Sequence, residues 1–239
     1  MRKRRLWIVA LAATLAAAPV GGTPARADGG LVAYWAMNEE PGSRYMYDSS
    51  GNGLHGNIGT EVVTGRSYGD GLGYGFGRLQ PDTPPTHPQH LVGVADYAAL
   101  DPDDRDYSVS LRIRTIYQFG NVVQKGQATA AGGSFKIQIP SGKVQCWFRG
   151  SAGQVLVTGP KPINDGNWHT VTCTRYGSGV ALAIDGVMAA SKAGPTGMIS
   201  NAWPLSIGGK PSCDQVSVGC DYFAGDLDWV RIDAAGHDW

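Results

Sequence analysis

Two groups of side chains in this sequence have types and spacings that could do chemistry. The first is Asp48-Ser-Ser-Gly-Asn-Gly-Leu-His-Gly56, which puts a carboxylate, an amide, two hydroxyls and three glycines into nine residues, a dozen positions beyond the apolar run LVAYWAM. Asp and Asn hydrogen-bond their own backbone and Gly supplies positive φ without steric cost, so the stretch predicts a tight polar turn. The same oxygens could surround a hard cation, since calcium takes about six to eight oxygen ligands from carboxylates, amides and carbonyls. A partner acid stands at the far end of the chain, in FAGDLDWVRI, where Asp228 shares parity with Val230 and Ile232. If those two point inward the carboxylate does too, and a buried carboxylate needs a cation or several hydrogen bonds. Asp48 and Asp228 are therefore the leading ligands for such an ion, with Asn38, Glu39 and Asn52 as further candidates. A plain Asx turn, hydrogen-bonded to its own neighbours, is the alternative.

The second group is spread over the middle of the chain. Parity puts Lys125, Lys136, Gln138, Gln145, Trp147 and Arg149 opposite the apolar set Phe135, Ile137, Ile139, Val144, Cys146 and Phe148. A carbohydrate surface needs aromatic planes for the apolar faces of sugar rings and polar groups for the hydroxyls, both on a rigid scaffold. Arg112 and Arg114 fall on the polar side of their own run. If these segments are neighbours in one sheet, they make a Trp, Gln, Arg and Lys groove whose basic tilt suits an anionic or hydroxyl-rich glycan. An ordinary solvated sheet face is the alternative.

The elements that must position these residues are strands. YSVSLRIRTI alternates strictly, with Val109, Leu111 and Ile113 on one face, and NVVQKG, SFKIQI, KVQCWFRG, QVLVTG, WHTVTCTRY, VALAI and WPLSIGG repeat the pattern at short spacing. Helix signals are nearly absent, so the expected class is all-β, a sandwich or barrel. Asp185-Gly186 between two β-prone stretches predicts a two-residue hairpin. Gly77 to Gly93 carries prolines that remove ladder donors, and reads as a surface loop.

Residues 1–27 have the pattern of a secretory signal peptide: Arg2 to Arg5, then apolar Leu6 to Ala18, then Ala25-Arg-Ala27 before Asp28. An uncleaved anchor is the alternative, but the apolar stretch is short for a span. A secreted, extracellular domain over residues 28–239 is expected, with no membrane insertion after cleavage. The leader holds five of the 20 basic residues and none of the 20 acidic ones, so its removal leaves a net charge of −5. A phosphate-backbone binder carries a basic field, so nucleic acid is an unsuited partner.

All four cysteines follow the leader, in a compartment where disulfides persist. Cys146 and Cys173 each share parity with apolar neighbours and should meet in a core, leaving Cys213 and Cys220 to staple a short loop.

Together LVAYWAMNEEPGSRYMYDSSGNGLHG, DRDYSVSLRIRT, NVVQKG, DGNWHTVTCTRYGSGVALAIDGV and FAGDLDWVRI resemble the laminin-G-like branch of the concanavalin A-like lectin/glucanase superfamily, in its secreted bacterial form. The resemblance implies a jelly-roll sandwich of two curved antiparallel sheets, one face often used for carbohydrate, and a structural calcium ion commonly bound near the chain ends. Trp168 in DGNWH is expected to cover the core edge after the turn at Asp165-Gly166.

Hydrolases of the same superfamily place their acids on one strand as an acid-x-Asp-x-acid pattern led and closed by Glu, and no Glu follows Glu61 here. Glycoside hydrolysis needs two carboxylates about 5 to 9 Å apart. GDLDW pairs two acids but ends in Trp229, His169 has no evident nucleophile, and His87 and His90 in HPQH lack a third ligand in the sequence. The expected function is therefore a non-catalytic carbohydrate-binding module whose partner is a polysaccharide or glycoconjugate. A protein-adhesion domain facing an extracellular protein, and a glycosidase or lyase, are the alternatives.

Overall fold

Alternation with period two becomes strand wherever one face of a segment can be buried, because successive side chains leave a pleated backbone on opposite sides. A computed structural model describes residues 30–69, 71–80, 86–212 and 221–234. The leader expected at residues 1–27 and the expected Cys213–Cys220 pair lie outside the described residues. The strands are β1 (Leu31–Trp35), β2 (Tyr45–Met46), β3 (Gly56–Ile58), β4 (Val63–Ser67), β5 (Leu72–Phe76), β6 (Val92–Val94), β7 (Tyr107–Arg114) and β8 (Asn121–Lys125). They continue as β9 (Ser134–Gln138), β10 (Lys143–Gly150), β11 (Gly153–Pro162), β12 (His169–Tyr176), β13 (Gly179–Ile184), β14 (Val187–Ala193), β15 (Leu205–Ile207) and β16 (Gly225–Asp233). Among the described residues no helix is long and apolar enough to cross a membrane.

Two antiparallel sheets result, as expected of a jelly-roll sandwich. The first runs β14-β13-β12-β7-β16-β5-β4, with β1 also paired to β16; the second runs β11-β10-β9-β8-β15-β6-β3-β2. Their inner faces share one core. Val109, Leu111 and Ile113 from β7 meet Phe135 and Ile137 from β9 and Val144, Cys146 and Phe148 from β10, all essentially solvent-free. Cys146 and Cys173 are joined, Cα to Cα 5.7 Å, so one covalent bond crosses from β10 in the second sheet to β12 in the first. Asp185 and Gly186 both have positive φ and close Ile184 onto Val187, the backbone that a two-residue hairpin requires.

Candidate functional site

The outer face of the second sheet gathers most of the polar set read from the sequence. Antiparallel register puts Leu156, Trp147, Lys136, Gln124 and Ser206 side by side across β11, β10, β9, β8 and β15. The next row holds Thr158, Gln145, Gln138 and Asn121. Directly opposed side chains on one face lie within contact distance. The Lys136 ammonium sits 4.4 Å from the centre of the Trp147 ring, a cation–π contact. Gln138 Nε2 donates to Gln145 Oε1, and Gln145 Nε2 donates to Thr158 Oγ1 at 2.9 Å. Beside them opens a cleft of ≈ 370 Å³, lined by Phe119, Lys136, Gln138, Pro140, Lys210 and Asp221.

The same face holds most of the buried polar atoms that lack a hydrogen-bond partner. Among the described residues these include both amide atoms of Asn121, Nε2 of Gln124, Nε1 of Trp147 and Nε of Arg149. Buried amides and indoles are almost always paired, and leaving one unpaired costs about 1–3 kcal/mol. Buried polar atoms of this kind are places where ordered water completes the hydrogen bonding.

Two expectations for this face are corrected. Lys125 is absent from it: Val122 is an extra residue in β8, so Val123 and Lys125 face inward and Gln124 faces out. The Lys125 ammonium is fully buried, 2.8 Å from Asp96 Oδ1, 2.7 Å from Asp101 Oδ1 and 2.7 Å from the Asn201 carbonyl. Arg112 and Arg114 belong to β7 in the other sheet, so they lie on the opposite side of the sandwich from Trp147. Arg149 is on the face, but its Nη2 donates to the carbonyls of Gln127 and Ala130 and so holds the β8–β9 connection.

A family model described as the concanavalin A-like lectin/glucanases superfamily matches residues 89–235, more than half of the chain. The chain belongs to this superfamily. Solved structures give the same fold at low identity. The binding domain of Botulinum Neurotoxin DC in complex with SialylT is similar at TM-score 0.63 and 12% identity, covering 89% of this chain and 49% of that one. Domain 4 of AbnA, a GH43 extracellular arabinanase from Geobacillus stearothermophilus, in complex with arabinotriose, is similar at TM-score 0.56 and 18% identity, covering 86% and 93%. The binding domain of Paraclostridial Mosquitocidal Protein 1 is similar at TM-score 0.58 and 15% identity, covering 85% and 47%. The chain thus spans about half the length of the two toxin binding domains it matches.

In this superfamily member the Asp48 turn is closed by protein donors. Oδ1 accepts the N–H groups of Tyr34 at 3.0 Å and Ser50 at 2.9 Å, while Oδ2 accepts the Ser50 hydroxyl at 2.7 Å and the Leu54 N–H at 2.9 Å. Burial opposes ionisation of Asp48, but these hydrogen bonds outweigh it and hold the pKa below the ordinary carboxylate value. Glu39 accepts the Tyr47 N–H and the Tyr74 hydroxyl, Asn52 Nδ2 donates to the carbonyls of Leu31 and Val32, and Asn38 is exposed. Asp228 is the extra residue of a bulge between Leu227 and Trp229, so parity with Val230 fails and its carboxylate pairs with Arg112. Among the described residues no group of three or more His, Cys, Asp or Glu side chains is arranged to hold a metal ion.

Other members of the face escaped the sequence reading. Gln124 and Asn121 lie in NVVQK, where the bulge hides their orientation, and Lys210 reaches the cleft from beyond β15. HPQH does acquire a third neighbour: Glu61, with Oε1 2.7 Å from His87 Nε2 and Oε2 3.5 Å from His90 Nδ1. Trp168 does not cover the core edge; its ring stacks with the guanidinium groups of Arg112 and Arg114 at 4.7 and 4.9 Å.

Proposed function

We propose that this domain is a secreted, non-catalytic carbohydrate-binding module whose site is the outer face of β8, β9 and β10. The observation that carries the reading is the partly exposed Trp147 ring under the Lys136 ammonium, flanked by the partly exposed amides of Gln138 and Gln145 and opening on the ≈ 370 Å³ cleft. Such groups match the hydroxyls of a saccharide, and the half-buried Trp147 ring offers an apolar edge to a sugar. The complexes of similar folds with SialylT and arabinotriose support a polysaccharide or glycoconjugate as the partner. The lining of the adjacent cleft supports binding over hydrolysis, because it contributes one carboxylate, Asp221, where cleavage of a glycosidic bond uses two.

The test is a glycan array of the parent and of Trp147→Ala, followed by calorimetry and a reducing-end assay on each sugar that binds. Loss of the indole should lower affinity roughly tenfold, about 1.4 kcal/mol. Unchanged binding by a folded Trp147→Ala protein places the site elsewhere, and release of reducing ends overturns the non-catalytic reading.

A further inference from the structure

Beneath the Trp147 face lies a feature that sugar contact does not explain. Trp147 is half-buried with the Lys136 ammonium over its ring, yet its Nε1 is shut off from solvent and has no hydrogen-bond partner. Gln124 stands in the same register row on β8, with Lys136 between the two. It is 2% exposed, and its Nε2 is likewise buried and unpaired. Both residues line one small cavity of ≈ 10 Å³, whose wall also includes Gln127, Ser134, Phe135 and Lys136.

A single water needs about 10–15 Å³ of such space, so the cavity has the size of one water site. The chemistry is equally narrow. An indole N–H and an amide NH₂ are both donors and cannot pair with each other, and the lysine ammonium on the same wall has only hydrogens to give. What the two unpaired nitrogens lack is a shared acceptor. Water accepts one hydrogen bond on each lone pair and keeps both its hydrogens for other acceptors in the wall, which suits a buried water making about three bonds. The second torsion of a Trp side chain is broad, and a cation over the ring restrains its tilt more than its swing. A hydrogen bond at Nε1 fixes the edge that the cation leaves free.

We propose that one ordered water bridges Trp147 Nε1–H and Gln124 Nε2–H, and that Gln124 is thereby a positioning residue: it lies below the reach of a ligand but holds the indole at the angle at which a sugar meets it. The bridge stands on the cavity and the two unpaired donors, and only its bearing on sugar rests on the proposed function.

The test is nuclear magnetic resonance of the isotope-labelled protein, with the Trp147 indole signal assigned by its loss in Trp147→Phe. Gln124→Met keeps the length of the side chain and removes its donor. The expected results are a cross-peak between the Trp147 indole N–H and a bound water in the parent, and in Gln124→Met an indole N–H that exchanges with solvent about tenfold faster and has a lower order parameter, at a melting temperature close to the parent's. No bound-water cross-peak, or equal exchange and order in Gln124→Met, would overturn the proposal. An indole shift that titrates with bromide would put an anion in the cavity and overturn it too. None of these readouts needs a sugar, so a glycan array without a hit would remove the proposed function while the bridge is still decided. Where a glycan binds, Gln124→Met should weaken it about tenfold in the parent and leave it unchanged on the Trp147→Phe background. Equal losses on both backgrounds would overturn the positioning role.

Discussion

Lys125 Nζ lies 2.7 Å from Asp101 Oδ1, both shut away from solvent on the core side of the sheet whose outer side carries Lys136. Two lysines eleven residues apart thus serve opposite ends: one ties the β8 backbone to the loops around Asp96, Asp101 and Asn201, and the other covers an indole.

Lys125→Met should therefore act on stability. It leaves Asp101 buried without its cation, which costs about 3–5 kcal/mol. Adding Asp101→Asn should recover part of that loss, as a double-mutant cycle by urea denaturation would show. A Lys125→Met protein that keeps full stability but loses glycan binding would return Lys125 to the binding face.

Gln124→Leu is expected to do the reverse. The Gln124 Nε2 has no partner to lose, so stability should stay within about 1 kcal/mol of the parent or rise. Affinity for the glycan found by array should fall roughly tenfold. Equal affinity would assign that amide to buried water alone.

Asp48→Ala strands the N–H groups of Tyr34, Ser50 and Leu54, at a cost of about 2–4 kcal/mol. Because folding lowers the Asp48 pKa, its contribution is present above the unfolded value, about 4, and is lost as pH falls through the folded value. Superposed melting curves in calcium chloride and in chelator are expected. A calcium-dependent shift that Asp48→Ala abolishes would make the ion its partner after all.

His169 runs the other way with pH. Burial disfavours its charge, but Asp185 at 2.8 Å and Asp165 at 3.2 Å outweigh burial and raise its pKa. Its contribution is full below the ordinary histidine value, about 6.5, and is lost as pH rises through the folded value. Both carboxylates are half exposed, so the effect is small, about 0.5 kcal/mol. His169→Gln should flatten stability across pH 6 to 8.5, and an unchanged pH profile would show that another group sets it.

The strands and the Cys146–Cys173 bond were legible because alternation in YSVSLRIRTI and KVQCWFRG is local and regular, and a core needs only one face of each. Lys125 and Asp228 were misread for one reason: Lys125 follows a single-residue bulge at Val122 and Asp228 is itself the extra residue of another, and a bulge reverses parity without any mark in composition. Arg112 and Trp147 were grouped wrongly because pairing between distant strands is set by topology, and parity says nothing of which sheet a strand joins. The turn around Asp48 was legible from its Gly, Asn and Ser residues, but the donors to the carboxylate come partly from Tyr34 and Leu54, contacts that only the folded chain assembles.

The bond between Cys146 and Cys173 also has a mechanical meaning. A polymer held on the Trp147 face would pull across the sandwich and tend to peel one sheet from the other. Apolar contacts between sheets yield to peeling one side chain at a time, whereas a covalent bond through the middle of the interface forces the sheets to part together. Pulled in optical tweezers from the outer faces of the two sheets, the oxidised protein should rupture at a higher force than the reduced one.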